Sequence, residues 1–385
     1  MTQTRFIVFL LLCALGVNAQ KTKINGYSGI DAKALQCPDS LTKSADDIAS
    51  YMNGNFHTDK VKVRGIFIWI AGNIKYDAEN MFALNFYEKK EDKIAKPLKT
   101  RKGICENYAA LFTEICTKSG IKSFVIEGYT KQNGFADYLP HAWCGALIDT
   151  SWFLFDPTWG SGYLIKGKFY PEINNDYFLV NPSMLIKSHM PFDCLWQFLN
   201  YPVTNQEFYE GKTQENKSKA YFSYQDSIPA FEKMSHTDQL AASASRIEKA
   251  GIKNSLIFDR LQHIKIELEN EKQTHIADLY NDAVIDYNDG IAAYNDFINY
   301  RNKQFTPKKT DPEIKAMLDT ASVNLQSAKT KLAEIIKPDA TTSKLIQQLS
   351  KPITESIDLV NEQQDWLKIY FSKPKASRKL MFYKK

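Results

Sequence analysis

Near Tyr209 the chain changes character, and that change limits the folds open to it. Before this point aromatic and strand-forming runs alternate with segments of helical period. Beyond it Ala, Lys, Glu, Gln and Asn dominate in helical patterns that reach Phe371, with breaks near Gly251, Thr306-Pro307 and Pro338. Apolar residues that recur every three or four positions cannot line one face of a strand, so the second half is expected to be all helix. The first half mixes both periods and is expected to be α+β. With 385 residues, of which 44% are hydrophobic and 24% charged, the chain has material for two folded units. The expected division is a folded domain over 46–208, a helical domain over 209–372 and a basic tail over 373–385.

Within the helical half, Tyr280-Asn281-Asp282, Tyr287-Asn288-Asp289 and Tyr294-Asn295-Asp296 repeat every seven residues, with Val284, Ile291 and Ile298 four residues after each tyrosine. A seven-residue repeat specifies helix packing of the coiled-coil type, and the tyrosine rings are expected to be buried on a neighbouring helix. This unit is the candidate surface for a protein partner.

The first nineteen residues read as a signal peptide. Arg5 precedes an apolar stretch from Phe6 to Val17, and Val17-Asn18-Ala19 offers small residues for cleavage. The stretch is about half of what a bilayer span needs, so no transmembrane segment is expected in the mature chain and the protein is expected to be secreted or periplasmic. Residues 20–45 are polar and glycine-containing and read as a linker. The formal net charge of +5 is spread among interspersed acids and bases, which argues against a nucleic-acid-binding stripe. Removal of the signal peptide leaves Cys37, Cys105, Cys116, Cys144 and Cys194, an odd number, so at least one thiol should stay free or pair between chains; Cys37 and Cys194 are a pair available for a disulfide.

One of those cysteines is placed for chemistry. In the segment after Gly103, Tyr108, Leu111, Phe112 and Ile115 share one helical face and Gly120 supplies the stop, which puts Cys105 in the first turn. Unpaired N–H groups and the positive end of the helix dipole favour a thiolate there. The polar stretch Asn85–Lys102 before it, with Pro97, reads as a surface loop. Ile121 to Thr130, His141 to Ile148 and Trp152 to Phe155 read as strands, the last two joined by a turn near Asp149-Thr150. In that hairpin His141 falls opposite about residue 158 and Asp156 is its diagonal neighbour on the same face, whereas Asp149 lies roughly 25 Å along the strand and belongs to the turn. A nucleophile, a base and a group that fixes the base's tautomer are what acyl transfer by cysteine requires, and Cys105, His141 and Asp156 supply those types. Cys116, Cys144 and Trp69 are expected to be packing residues. The spacing His141-x-x-Cys144 suits a metal, but no second close ligand pair accompanies it and no calcium-loop pattern is present, so neither a metal nor another cofactor is expected.

Arg101-Lys-Gly103-Ile-Cys105-Glu-Asn-Tyr108-Ala, His141-Ala-Trp143 and Asp156-Pro-Thr-Trp159 resemble, in order, the three signature blocks of the transglutaminase-like superfamily. Ile66-Phe-Ile-Trp69-Ile, Asn73-Ile-Lys-Tyr76-Asp77, Tyr177-Phe-Leu, His189-Met-Pro191 and Trp196-Gln197-Phe-Leu resemble its kyphoscoliosis-peptidase-like branch. The resemblance implies a papain-like fold and a catalytic set of Cys105, His141 and Asp156. The family holds transamidases, peptidases, amidases and members without catalysis. The expected function is therefore a secreted cysteine acyl-transfer enzyme, a thiol peptidase, amidase or transamidase, that forms a thioester with a peptide or amide substrate. The competing expectation is a noncatalytic module that docks an envelope or protein partner.

Overall fold

The computed structural model describes residues 26–85, 88–132 and 135–383, so the expected signal peptide lies outside the described residues. The chain forms two compact units, one of residues up to 230 together with 246–258 and one of 231–245 together with 259–385. Composition alone marked the change at Tyr209. The contacts divide later because Ile228 and Ile247 are buried and Arg246 forms a paired bond to Asp193, which keeps these stretches with the first unit.

In the first unit five helices precede the main sheet: α1 (Ser28–Leu35), α2 (Ala45–Asn55), α3 (Asp59–Asn73), α4 (Lys90–Thr100) and α5 (Cys105–Lys118). The linker expected over 20–45 is not what forms. Its described part contains α1, whose Asp31 takes a two-point ion pair from Arg64 at 2.7 Å and whose Ala34 is buried. Arg64 is itself fully buried, with its guanidinium 4.8 Å from the Phe178 ring, and this tertiary anchor outweighs the weak local helical signal. The surface loop expected over Asn85–Lys102 is also corrected, since α4 fills most of it. Its polar face conceals Leu98 and Pro97, which are buried, and Arg101 ends it in the left-handed region at φ 56°.

The strands are β1 (Lys75–Tyr76), β2 (Lys102–Gly103), β3 (Ser123–Gln132), β4 (Phe135–Ile148), β5 (Ser151–Phe155), β6 (Gly162–Ile165), β7 (Lys168–Pro171) and β8 (His189–Pro191). Antiparallel pairing orders four of them β5-β4-β3-β8. Asp149 takes φ 55° in the turn between β4 and β5, and the pairs Ile148 with Ser151 and Cys144 with Phe155 fix the register. Extending this register by three residues sets His141 opposite 158, as the turn position requires. One core joins α2, α3 and α5 to β4 and β5 through Phe67, Phe112, Phe155 and their neighbours.

The second unit packs the helix Ser255–Asn302, which enters it at residue 259, with the helices Asp311–Glu334 and Ala340–Ser372 around one core. Ile314, Leu318, Ala321, Leu325, Ala328 and Leu332 alternate steps of four and three along the second helix and are all buried. On the first, the fully buried seam is Ile276, Ala283, Gly290 and Phe297, again seven apart. Tyr280, Tyr287 and Tyr294 flank this seam and are half-buried against the same core, so the repeat is as read but its centre is displaced by three residues. Gly290 explains the displacement. A Cβ there would stand 2.7 Å from Leu325, so the backbones meet where the side chain is missing. Among the described residues no helix is long and apolar enough to cross a membrane.

Candidate active site

Cys105 opens α5, as its place after Gly103 predicts, and only 4% of it is exposed. The turn before it is held by Asn107, whose Oδ1 accepts the Ile104 N–H at 2.9 Å and whose Nδ2 donates to the Lys93 carbonyl at 3.1 Å. Gly103 is needed because a Cβ at that position would lie 2.7 Å from Cβ of Asn107. The entering chain is also clamped from the side. β1 and β2 pair in parallel, Tyr76 beside Gly103, and the Asp77 N–H donates to the Gly103 carbonyl at 2.9 Å. Tyr76 is thereby fixed two residues from the cysteine in a neighbouring strand.

His141 and Asp156 are brought together by the β4–β5 register. Nε2 of His141 lies 2.8 Å from Oδ2 of Asp156, and Cys105 lies close enough to the ring to help hold its charged form. Because Nε2 is committed to Asp156, it is Nδ1 that faces the sulfur. Asp156 is fully buried, and its Oδ1 accepts the backbone N–H groups of Thr158 at 2.9 Å and Trp159 at 3.0 Å. Burial disfavours the His141 cation, yet the Asp156 charge and hydrogen bond, with the Cys105 contact, outweigh it and lift the imidazole to about 10. Burial would also raise Asp156, but the two histidines beside it hold its carboxyl well below the usual carboxylate range.

The second of those histidines, His189, has a structural place that was not assigned from the sequence. Its Nε2 lies 3.1 Å from the same Oδ2 and its Nδ1 lies 2.8 Å from the Ser188 hydroxyl. It reaches the carboxylate from β8, two strands away from β4, where Thr130 of β3 is its partner. His141, Asp156 and His189 offer donor atoms within 4.8 Å of one another, the group among the described residues best spaced to hold a metal ion. Their separations from Oδ2 are those of hydrogen bonds, which account for the arrangement with no ion.

The remaining expected residues separate from this cluster. Cys144 is three positions from His141 and points to the opposite face of β4, into the core, with its thiol 3.5 Å from the Ala109 carbonyl. Cys116 is equally buried, and burial pushes both thiols up. Trp69 is buried beneath the Arg101 guanidinium at 5.4 Å, a packing position, and Asp149 stays in its turn. All five described cysteines are free, so Cys37 and Cys194 do not pair; Cys37 ends the turn after α1, and Cys194 starts the short 3₁₀ turn after β8.

Cys105 and His141 line a cleft of about 700 Å³ whose walls include Tyr76, Trp159, Tyr163 and Phe169. A smaller cavity of about 240 Å³ shares Pro140 and His141 and is lined by Glu106, Glu127 and Lys93. A thiol, an imidazole poised to carry a proton and a fixed carboxylate at the wall of an open cleft can form and resolve an acyl-sulfur bond.

Residues 46–157 match the family model of the transglutaminase-like superfamily, a span that contains Cys105, His141 and Asp156 and ends before His189. Kyphoscoliosis peptidase of Mus musculus is 32% identical over 193 residues, which are 47% of this chain and 28% of that protein. The Homo sapiens protein of the same name is 34% identical over 174 residues, covering 42% and 25%. Hillarin of Drosophila melanogaster is 26% identical over 206 residues, covering 47% and 24%. The chain therefore spans less than a third of the length of each of these relatives.

Proposed function

Because residues 46–157 form a transglutaminase-like domain of the kyphoscoliosis-peptidase-like branch, we propose that this chain is a cysteine acyl-transfer enzyme that attacks a peptide or amide carbonyl through Cys105. The observation that carries the proposal is that His141, with Nε2 held on Asp156, lines the same cleft as Cys105, which leaves the other ring nitrogen to serve the thiol. In the first step Sγ bonds to the acyl carbon as the carbonyl electron pair moves onto its oxygen, and His141, charged at neutral pH, already holds on Nδ1 the proton taken from the thiol. The charge that develops on the carbonyl oxygen is met by donors already in place. The Cys105 backbone N–H stands at the start of a helix, where the first amides lack intrahelical acceptors. The Tyr76 hydroxyl reaches the same cleft, and burial together with the nearby Cys105 and Asp156 raises its pKa, so it keeps its proton.

His141 next gives its proton to the departing amine, which leaves a thioester on Cys105. Water or a second amine then attacks the thioester, His141 takes that nucleophile's proton, and the sulfur is released. Asp156 stays ionised throughout and holds the Nε2 proton in place. The aromatic walls of the cleft suit an acyl donor carried on a polypeptide. The leader-like residues 1–19 support action outside the cytoplasm, in a secreted or periplasmic setting.

The test is covalent labelling of the folded protein with iodoacetamide, followed by peptide mapping. Cys105 should be modified ahead of Cys37, Cys116, Cys144 and Cys194, and His141→Ala should remove that advantage. Equal, slow labelling of all five thiols would instead support a noncatalytic module that presents the cleft for binding.

A further inference from the structure

The Asp156 carboxylate has more partners than orientation of one histidine demands. Oδ1 accepts two backbone N–H groups, and Oδ2 accepts from His141 at 2.8 Å and from His189 at 3.1 Å. We propose that His189 is a positioning residue of this site, whose Nε2–H fixes Asp156 as the acceptor for His141 and thereby fixes His141 against Cys105. This inference rests on the enzymatic reading given above.

The protonation pattern of His189 follows from its two neighbours. An ionised carboxylate only accepts, so Nε2 carries the hydrogen. The other nitrogen then accepts from the Ser188 hydroxyl at 2.8 Å, and that hydroxyl stands at the wall of the cleft. Burial and the charge on His141 hold His189 below the ordinary histidine value against the pull of Asp156, which keeps the ring neutral. A neutral donor steadies the carboxylate without setting a second cation against it. The groups that face His189 are Asp156, His141, Ser188 and the rings of Tyr177, Trp143 and Trp159.

The sheet leaves room at Gly128 for one aromatic wall of this ring. Gly128 on β3 pairs with His141 on one side and with Pro191 on the other. A Cβ at residue 128 would meet the Trp143 ring at 2.6 Å and the Met190 carbonyl oxygen at 2.1 Å. With no side chain there, Trp143 lies across the gap and packs edge-on to His189 at 5.1 Å, while Trp159 closes the other side at 4.6 Å. An aromatic enclosure of this kind would hold a phenylalanine as well as a histidine. Burying an imidazole with both nitrogens bonded is favoured only when those bonds are kept.

Two substitutions separate positioning from packing. His189→Phe keeps the ring and removes the N–H; His189→Gln removes the ring and keeps an N–H donor of similar reach. The measurement is the second-order rate of Cys105 carbamidomethylation by iodoacetamide at neutral pH, read by mass spectrometry on variants checked for folding by circular dichroism. The Phe variant is expected to be about ten- to a hundredfold slower than the unmodified protein, the scale of one hydrogen bond to a buried charge. The Gln variant should recover most of that loss. A Phe variant as fast as the unmodified protein, or faster than Gln, overturns the proposal and leaves His189 a packing residue. Should both replacements unfold, Ser188→Ala decides, because it deletes the tether on Nδ1 and, beside it, only a longer 3.3 Å contact to the Leu185 carbonyl within the same turn. A slower Cys105 is expected, and an unchanged rate overturns the proposal. Cys105 labelling that is indifferent to His141→Ala defeats the enzymatic reading itself and is told apart from these outcomes by that control.

Discussion

Asp156→Asn is the substitution whose effect the geometry fixes most closely. The replacement has the same shape, and its oxygen can still accept the N–H groups of Thr158 and Trp159. Its amide nitrogen then occupies the place of Oδ2 and offers hydrogens toward two Nε2 atoms that are themselves donors. His141 must move, or shift its proton to Nδ1, where the thiol needs an acceptor. The charge term is as informative. An imidazole lifted from 6.5 to about 10 has roughly 5 kcal/mol in favour of its charged form. Burial opposes that charge, so once the carboxylate is gone His141 should fall to or below its ordinary value. At neutral pH the imidazolium partner of the Cys105 sulfur is lost, and turnover should drop by about a thousandfold or more. The sign for stability also follows. A folded value above the unfolded one stabilises the protein fully below about pH 6.5, and that contribution is lost as the pH rises through about 10. The depressed Asp156 acts at the other end: its contribution is present above the usual carboxylate value and is lost as the pH falls toward its folded value. Urea unfolding from pH 2 to pH 10, run beside iodoacetamide kinetics, measures both effects. An Asn variant with the native alkylation rate at pH 7 and the native pH dependence of unfolding would refute the reasoning.

Cys105→Ser should lose acyl transfer almost completely while it melts close to the unmodified protein, whereas Cys116→Ala, in the core, should cost about 1–2 kcal/mol in urea unfolding and leave chemistry intact. Tyr76→Phe should lower kcat by about a hundredfold with little change in KM, since the hydroxyl acts on the developing oxyanion; a change confined to KM would remove it from that role. Leu325→Ala should destabilise the helical unit by about 2–5 kcal/mol, seen as a lower Tm by circular dichroism, because Leu325 fills the space over Gly290.

Much of the site was legible because it depends on local rules. A cysteine after a glycine and before an apolar helical stripe starts a helix, and a turn at Asp149-Thr150 sets which residue faces His141. Distance along the strand then selected Asp156 over Asp149, and the alternation of faces turned Cys144 away, with no knowledge of the rest of the fold. The seven-residue repeat likewise announced a packed seam. Its exact centre was hidden, since Gly290 has no side chain to mark it and acquires meaning only from Leu325 on another helix.

The tertiary structure decided whatever depends on a partner distant in sequence. The helix Ser28–Leu35 is fixed by Arg64, 33 residues beyond Asp31, and nothing in its own composition predicts that anchor. Tyr76 reaches the cleft through a two-residue parallel bridge to the segment before Cys105, too short to leave a periodic signal. His189 stands 33 residues from Asp156 on a three-residue strand, and only the order β5-β4-β3-β8 brings its ring to the carboxylate. Periodicity in a sequence records which face of an element is buried; it does not record which other element arrives to cover that face, and that arrival placed the second histidine beside Asp156.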